Sequence, residues 1–294
     1  MIDETIQPII HGKIRRPIAD EKSIKNLVSM LEEAKRPMIL IGAGANRKRI
    51  SNYLTQLILR YNIPFFTSQM GKGVVDERLS QYIGTAALTS GDYLHEAIDQ
   101  ADLILAIGHD TIEKPTNIIE SPLVFQDVPH PQPLSQKARG GTKLVHINFF
   151  PAEFDSLYQP DLQVIGDIGS TMRQLCEARI DSTHRDFQSI YQLADKVKEK
   201  VYAPVISQTV MGPQQLIADV RSVMAEEDIV TLDNGLYKVR FARNYPCYAP
   251  NTLLLDNALA TMGAGYSTGI IAKILNPSRQ VITVTGDGGL VMNL

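Results

Sequence analysis

The sequence lacks the features that mark secreted, membrane-spanning and zinc-binding proteins. It has no tryptophan and only two cysteines, Cys176 and Cys247, which are too few for a disulfide framework and fit a reducing compartment. It has no CxxC pair, no Cys/His cluster with zinc spacing, and no apolar run near the ~20 residues that cross a bilayer. The N-terminus also lacks the basic start and apolar core of a signal peptide. These absences predict a cytoplasmic protein with no membrane partner.

An excess of charge of one sign is also missing. The chain has 29 basic and 32 acidic residues, a net charge of −3, which argues against nucleic acid as a partner. Its 294 residues, 44% of them hydrophobic, leave room for two domains of ~150 residues, each with its own core. The length and the hydrophobic content therefore predict a globular protein with two domains.

Strands and helices alternate through the first part of the chain. Residues 1–18 show no hydrophobic periodicity and are predicted to be a linker, whereas residues 19–180 form a predicted central domain. The alternation favours a mostly parallel sheet covered on both faces, with six strands expected. Residues 109–141 are predicted to be a long extended loop. The pair His109-Asp110 at the start of this loop is predicted to be exposed to solvent. The strands identified are residues 38–41, 63–67, 102–108, 143–148 and 162–165.

A glycine turn follows the first of these strands. Gly42 and Gly44 have the spacing that opens a dinucleotide-binding fingerprint, but Arg47 stands where its third glycine belongs. The next strand runs into Thr67-Ser68 and carries no acidic residue at its end. The pattern therefore favours a tight strand-to-helix turn over a nucleotide site.

The second part of the chain repeats the alternation on a smaller scale. Residues 181–211 are predicted to be an interdomain helix and a linker, and residues 212–294 a second α/β unit. A proline-initiated helix begins at Gly212-Pro213, and a strand over residues 228–233 ends in Asp233-Asn234-Gly235. Asn-Gly is ordinarily a turn signal.

The last forty-odd residues carry the chemistry. A glycine turn opens an apolar helix with Ile270, Ile271, Ile274 and Leu275, and a strand over residues 280–285 then runs into a predicted Gly286-Asp287-Gly288 loop. Open α/β sheets bind their ligands at this edge. Glycines let backbone N–H groups approach a phosphate, and Asp287 offers a carboxylate for a hard divalent cation. Turn chemistry alone favours a simple turn that closes a strand.

A second motif at a fixed distance favours a cofactor site over a simple turn. Thr261-Met262-Gly263 lies one helix and one strand before the loop, and 25 residues separate Met262 from Asp287. This segment resembles the diphosphate-binding domain of thiamine diphosphate (TPP) enzymes, most closely the acetolactate synthase group. The runs RPMILIGAG, IPFFTSQMGKGVVDE, ADLILAIGHD and KLVHINFFPAEFD are similar to the middle domain of that family. The resemblance implies a parallel-sheet middle domain followed by a truncated α/β TPP-binding domain.

The resemblance also implies cofactor contacts. Met262 would support the bent cofactor, the carbonyl of Ala260 would face the aminopyrimidine, and Asp287 would ligate Mg²⁺ that bridges to the diphosphate. Asn234 and Gly235 lie in a loop that contacts the diphosphate in the family. Asn234, Leu236 and Tyr237 stand there in place of its usual polar residues, which leaves the backbone as the expected source of the contact. The remaining implied contacts are backbone positions of Gly286, Gly288 and Gly289.

No catalytic side chain is assigned. The glutamate that activates the aminopyrimidine belongs to an N-terminal domain in this family, which nothing in the sequence resembles, and the Asn pair of the metal motif would lie beyond Leu294. We therefore expect an internal fragment of a longer enzyme or the product of an interrupted reading frame. On its own such a chain would have no carboligase activity and little affinity for TPP.

The implied reaction is the decarboxylation of a 2-oxo acid such as pyruvate and its condensation with a second 2-oxo acid, in a homodimer or homotetramer. Another TPP-dependent 2-oxo-acid decarboxylase and a non-catalytic nucleotide-binding protein remain the alternatives. In acetolactate synthases the middle domain carries flavin adenine dinucleotide (FAD) in a structural role. Here Asn148-Phe149 replaces the usual acidic pair, and together with the incomplete glycine turn this predicts weak or no FAD binding.

Overall fold

Six parallel strands form the larger of two sheets in the computed structural model, which describes residues 16–86, 93–111, 113, 141–153, 158–202, 211–257 and 260–293. The sheet order is β3-β2-β1-β4-β5-β6, with all neighbours parallel. The order reverses between β1 and β4, which places a crevice at their carboxyl ends. The strands are β1 (Pro37–Ile41), β2 (Phe65–Thr67), β3 (Tyr82–Thr85), β4 (Leu103–Ile107), β5 (Lys143–Asn148) and β6 (Leu162–Ile165).

Helices cover both faces of this sheet, as the alternating pattern predicts. Along β1, Ile39 and Ile41 belong to one apolar cluster and Met38 and Leu40 to the other, because successive side chains of a strand point to opposite faces. The first cluster lies under α1 (Glu21–Glu33), α2 (Lys48–Tyr61) and α4 (Ile168–Glu177), and the second under α3 (Tyr93–Ile98) and α5 (Gln188–Tyr202).

The sequence predicted five of these strands at their observed places and missed β3. That strand is the four-residue run YIGT, and its glycine and short length hide it from a propensity argument. The helix expected between the domains is α5, and its residues Ile190 and Ala194 are buried against the central sheet. The division of the chain into domains stays a prediction.

The smaller sheet has three parallel strands in the order β8-β7-β9. β7 (Ile229–Leu232) is central, and β8 (Leu253–Leu254) and β9 (Val281–Val284) flank it. Among the described residues β9 pairs with β7 alone. The helices are α6 (Pro213–Val223), α7 (Leu236–Asn244), α8 (Ala264–Leu275) and α9 (Asp287–Val291).

Two features of this half differ from expectation. The segment after Asp233-Asn234-Gly235 does not stay a loop but continues as α7, with Gly235 as its N-cap. The apolar residues predicted for α8 are present, but the four of them are between 45% and 72% exposed. Within the part of the chain that the structure describes, no helix has both the length and the apolar character needed to cross a bilayer.

A buried ion pair in the segment after β2 contacts the segment that leads into β8. Lys72 Nζ lies 2.8 Å from Glu77 Oε2, and the same carboxylate oxygen accepts the backbone N–H of Cys247 at 2.9 Å. Gly73 has a positive φ of 74°, and a Cβ there would overlap the carbonyl oxygen of Ala249. The loop after β2 is therefore held closely against the segment that leads into β8.

Candidate functional site

Three chain segments meet at the carboxyl edge of the smaller sheet. Asp233 follows the central strand β7, the turn at Gly263 leads into α8, and Thr285 leads from β9 into α9. The buried Asp233 carboxylate accepts the Gly263 N–H at 2.7 and 2.9 Å and the Thr285 hydroxyl at 3.0 Å. One carboxylate therefore fixes the relative positions of both motifs that the sequence singles out.

Glycines surround this carboxylate for two different reasons. A Cβ on Gly289 would overlap Asp233 Oδ2, and a Cβ on Gly265 would come within 2.5 Å of the Asp233 nitrogen. These two glycines therefore allow close packing on Asp233. A Cβ on Gly288, by contrast, would have no atom within 4 Å, so this glycine leaves open space above the site.

Asp233 is negatively charged at neutral pH. Burial alone would raise the pKa of its carboxyl group, but donation from the backbone N–H groups of Asn234, Gly263 and Gly265 and from the Thr285 hydroxyl outweighs burial and lowers the pKa. The sequence pattern presents Asp233 only as part of a turn. The available signal was its place at the end of a buried strand, where functional side chains collect in α/β sheets.

The loop after β7 is fastened to the turn before α8. Asn234 Nδ2 donates to the Thr261 carbonyl at 2.7 Å, and its Oδ1 accepts from Lys238 Nζ. Lys238 also donates to the Asp256 carbonyl at 2.9 Å. The Asn234 amide is thus engaged within the protein on both atoms, so a contact from this loop to a diphosphate would come from the backbone of Asn234 or Gly235.

Lys238 is a cation that the sequence pattern does not single out. Its side chain is buried beside the site, and desolvation lowers the pKa of its amino group against the attraction of Asp256 and Asp233. Lys238 follows Asn234 by one helical turn. Only the formation of α7 brings the two side chains together.

The turn expected to support the cofactor is strained and accessible. Ala260 has a left-handed φ of 48°, a conformation that costs a non-glycine residue about 1 kcal/mol or more. The Thr261 N–H donates to Asp256 Oδ2 at 3.1 Å, which helps to hold the turn. Ala260 is exposed, and the Met262 side chain is 54% exposed. Both residues are therefore open to a ligand.

The Gly-Asp-Gly motif is not the loop that the pattern predicted. Gly286 is the N-cap of α9, and Asp287, Gly288 and Gly289 lie in its first turn. The Asp287 side chain is exposed and has no hydrogen bond or ion pair with the residues that the structure describes. Its oxygens are therefore free to ligate a cation.

The side chains at this site fit a Mg²⁺ ion that is held jointly by the protein and a diphosphate. No cluster of three acidic, His or Cys side chains occurs in the described ranges, so the protein offers no complete cage. Mg²⁺ is usually held by one or two carboxylates together with phosphate oxygens and water. Asp287 beside the open face of Gly288 meets that requirement when a diphosphate is present.

Tyr237 covers one edge of the motif. Its hydroxyl accepts the Gly286 N–H at 2.9 Å, and a Cβ on Gly235 would come within 2.5 Å of its ring. The neighbouring Leu236 is 89% exposed. The aromatic ring therefore takes the space between Gly235 and Gly286, while Leu236 points away from it.

The burial of His109 contradicts the prediction that the pair His109-Asp110 is solvated. His109 is fully buried, and within the described ranges neither of its ring nitrogens has a hydrogen-bond partner. Burial, with repulsion from His146, lowers the pKa of His109 to about 3. His109 ends up inside because Gly42 and Gly44 pack directly against the backbone of Gly108 and His109, a long-range contact that the local sequence does not reveal.

The comparison with known families matches both halves of the chain. The family described as "Thiamine pyrophosphate enzyme, central domain" matches residues 24–175, just over half of the chain. The family described as "Thiamine pyrophosphate enzyme, C-terminal TPP binding domain" matches residues 233–294. The chain belongs to the TPP enzymes, with their central and C-terminal domains.

Relatives narrow the group. The chain is 26% identical to an acetolactate synthase of Bacillus subtilis over 94% of this chain and 46% of the relative. It is 28% identical to a probable acetolactate synthase large subunit of Methanocaldococcus jannaschii over 92% of this chain and 44% of the relative. A pyruvate oxidase of Lactiplantibacillus plantarum is 27% identical over 95% and 43%. The chain therefore spans about half the length of the curated relatives it matches.

Proposed function

We propose that the chain supplies the central and diphosphate-binding parts of an acetolactate synthase-like enzyme, with the TPP diphosphate and Mg²⁺ bound at the start of α9. The observation that carries this proposal is the placement of Asp287. Its carboxylate is exposed and without a partner in the described ranges, next to the open face of Gly288. Asp233 links this motif to the turn that holds Met262 through Gly263 and Thr285.

Each residue of the site has a distinct role in this proposal. Asp287 ligates Mg²⁺, and Gly288 gives the diphosphate room to approach the backbone. The Ala260 carbonyl would face the aminopyrimidine of bound TPP, and Met262 would support the cofactor. Backbone groups of Asn234 and Gly235 complete the contacts, together with those of Gly286 and Gly289.

When bound, TPP supplies an electron sink for the decarboxylation of a 2-oxo acid. The proposed reaction is the carboligation of two 2-oxo acids, the chemistry of branched-chain amino-acid biosynthesis, in a cytoplasmic homodimer or homotetramer. The support is the number of relatives that are named acetolactate synthases. The pyruvate oxidase relative favours a second candidate, a TPP enzyme that decarboxylates a 2-oxo acid without carboligation.

An NMR titration of the labelled chain with millimolar TPP and Mg²⁺ tests the site even if binding is weak. We expect Mg²⁺-dependent changes in the amide signals of Met262, Gly286, Gly288 and Gly289. The Asp287→Ala variant should lose these changes, whereas Asp195→Ala, an exposed aspartate on α5, should retain them. Changes confined to other parts of the chain, or none at saturating TPP, would refute the proposed site.

A further inference from the structure

The segments that follow β1 and β2 contribute a group of converging hydrogen-bond donors beside the crevice between β1 and β4. The turn after β1 contributes the Ala43 N–H, and the loop after β2 contributes the Ser68 hydroxyl and the Met70 N–H. The turn after β1 borders the point where the strand order reverses. In open α/β sheets, backbone N–H groups at this position bind the phosphates of nucleotides.

Here the donors already have an anionic acceptor from the same chain. Glu113 Oε2 accepts the Ala43 N–H at 2.9 Å. Its Oε1 accepts the Met70 N–H at 3.3 Å and the Ser68 hydroxyl. Glu113 is only 7% exposed, so its carboxylate lies within the crevice and not over its mouth.

The backbone around these donors is packed too closely to rearrange easily. A Cβ on Gly71 would overlap the Ile41 carbonyl, and a Cβ on Gly42 would come within 2.5 Å of the His109 Cα. Ser68 is fixed as well, because its N–H donates to the Ile41 carbonyl at 2.9 Å and its hydroxyl accepts the Gly71 N–H at 3.1 Å. The donors are therefore preorganised for an anion.

The adjacent strand end also fails to fit FAD. A dinucleotide site places an acidic residue for the ribose hydroxyls at the end of the strand that follows the glycine turn, and this chain has Thr67-Ser68 at the end of β2. At the end of β5 it has Asn148. Its Nδ2 donates to the His109 carbonyl at 3.1 Å, and its Oδ1 accepts the Phe149 N–H at 2.8 Å. Both amide atoms are engaged within the protein, and neither β2 nor β5 ends in a carboxylate, so the residues present fit a flavin dinucleotide poorly.

We propose that the donors of Ala43, Ser68 and Met70 form an anion-binding cradle whose resident ligand is the Glu113 carboxylate. Because Glu113 fills the cradle, nucleotide phosphates are excluded from the crevice. Removing the carboxylate would take this acceptor from one buried and two half-buried donors, which is costly, and would open the cradle to small anions. This inference does not depend on the proposed function of the α9 site.

Chemical rescue tests the proposal. The Glu113→Ala variant is melted in chloride buffer and again with added sodium acetate or inorganic phosphate, beside wild type and Glu96→Ala, an exposed glutamate on α3. We expect the melting temperature of Glu113→Ala to be lower than that of wild type and to rise saturably with acetate or phosphate. Wild type and Glu96→Ala should show no such saturable rise. Neither FAD nor ADP should shift the melting temperature of wild type.

Three results would overturn the proposal. They are a wild-type melting temperature in Glu113→Ala, a rescue no larger than in Glu96→Ala, and stoichiometric binding of FAD or ADP by wild type. If Glu113→Ala does not fold in chloride, refolding is repeated in acetate and in phosphate. Recovery with these anions supports the cradle, and failure with both counts against it.

Discussion

Asp233 Oδ1 accepts the backbone N–H of Gly263 at 2.7 Å, across thirty residues of sequence. The same carboxylate binds the Thr285 hydroxyl and lies against Gly289. It therefore connects the turn before α8 to the start of α9. The geometry of the candidate cofactor site depends on this one buried side chain more than on either motif alone.

Replacing Asp233 with asparagine should destabilise the smaller sheet. The amide keeps one acceptor but places an NH₂ donor where the carboxylate met N–H and O–H donors, and an unsatisfied buried group costs about 1–3 kcal/mol. Urea denaturation followed by circular dichroism measures the change. Asp195→Asn, on the surface of α5, is the matched control and should leave the unfolding free energy unchanged. Equal stability of Asp233→Asn and wild type would contradict the anchoring role.

Substitutions at Gly288 and Gly289 distinguish a glycine needed for packing from one that leaves room for a ligand. Gly289→Ala should lose about 1–3 kcal/mol of stability, because its methyl group overlaps the Asp233 carboxylate and overpacking costs this much. Gly288→Ala meets no atom within 4 Å and should fold as wild type does. In the proposed site it should still weaken the Mg²⁺-dependent response to TPP. Thermal melts of both variants, followed by the NMR titration, distinguish the two effects.

Ala260→Gly should preserve or increase stability. Glycine reaches the left-handed region without the cost that alanine pays at φ 48°, and the expected gain is up to about 1 kcal/mol after the entropy of the unfolded chain is counted. The control is Ala218→Gly, exposed in the interior of α6, which should lose about 0.5–1 kcal/mol. A loss at position 260 as large as that at 218 would show that the backbone there is not left-handed.

His109 should make the protein acid-sensitive. The histidine titrates near ~6.5 when unfolded and at about 3 when folded. Between these two pKa values the unfolded state binds one more proton than the folded state. The unfolding free energy that neutral His109 provides is therefore fully present above pH ~6.5, and it decreases by about 1.4 kcal/mol for each pH unit below that value.

Denaturation measured at several pH values from about 7 to about 5 gives the slope of the unfolding free energy against pH, because this range lies near the upper of the two pKa values. His109→Phe removes the titrating group from the aromatic contact with Tyr158 and should flatten the profile. His184→Gln, at an exposed histidine, is the control for the loss of one histidine. An unchanged slope in His109→Phe would mean that other groups control the acid sensitivity.

The 294-residue chain by itself should show no carboligase activity and little affinity for TPP. It matches 44–47% of the length of its acetolactate synthase relatives, so more than half of the length of each relative lies outside the match. A pyruvate-consumption assay with TPP and Mg²⁺ checks this, with a complete acetolactate synthase as the positive control. Turnover by the chain would place the catalytic groups within it.

Local patterns were sufficient for the larger sheet and for the position of the two motifs. Buried strands such as β1 and β4 are continuous apolar runs, and helices such as α2 repeat their apolar residues at helical spacing, so short windows identify them. They were insufficient for β3, which is short and contains glycine, and for α7 and α9, which begin within glycine turns. At those two turns the helix depends on packing against residues that are distant in the sequence.

The amino-acid sequence was sufficient to identify the family, through its resemblance to the TPP enzymes. Hydrophobic periodicity was sufficient for the parallel α/β class and for the placement of Gly286-Asp287-Gly288 at the end of a strand. Only packing between segments that are distant in the sequence brings Asp233 to both motifs, buries His109, and places Glu113 against the donors that follow β1 and β2. Only the formation of α7 brings Lys238 to Asn234. Each of these is a hydrogen bond or a burial that depends on chain folding. Its partners come together only when strands and helices pack, and local propensities carry no information about that contact.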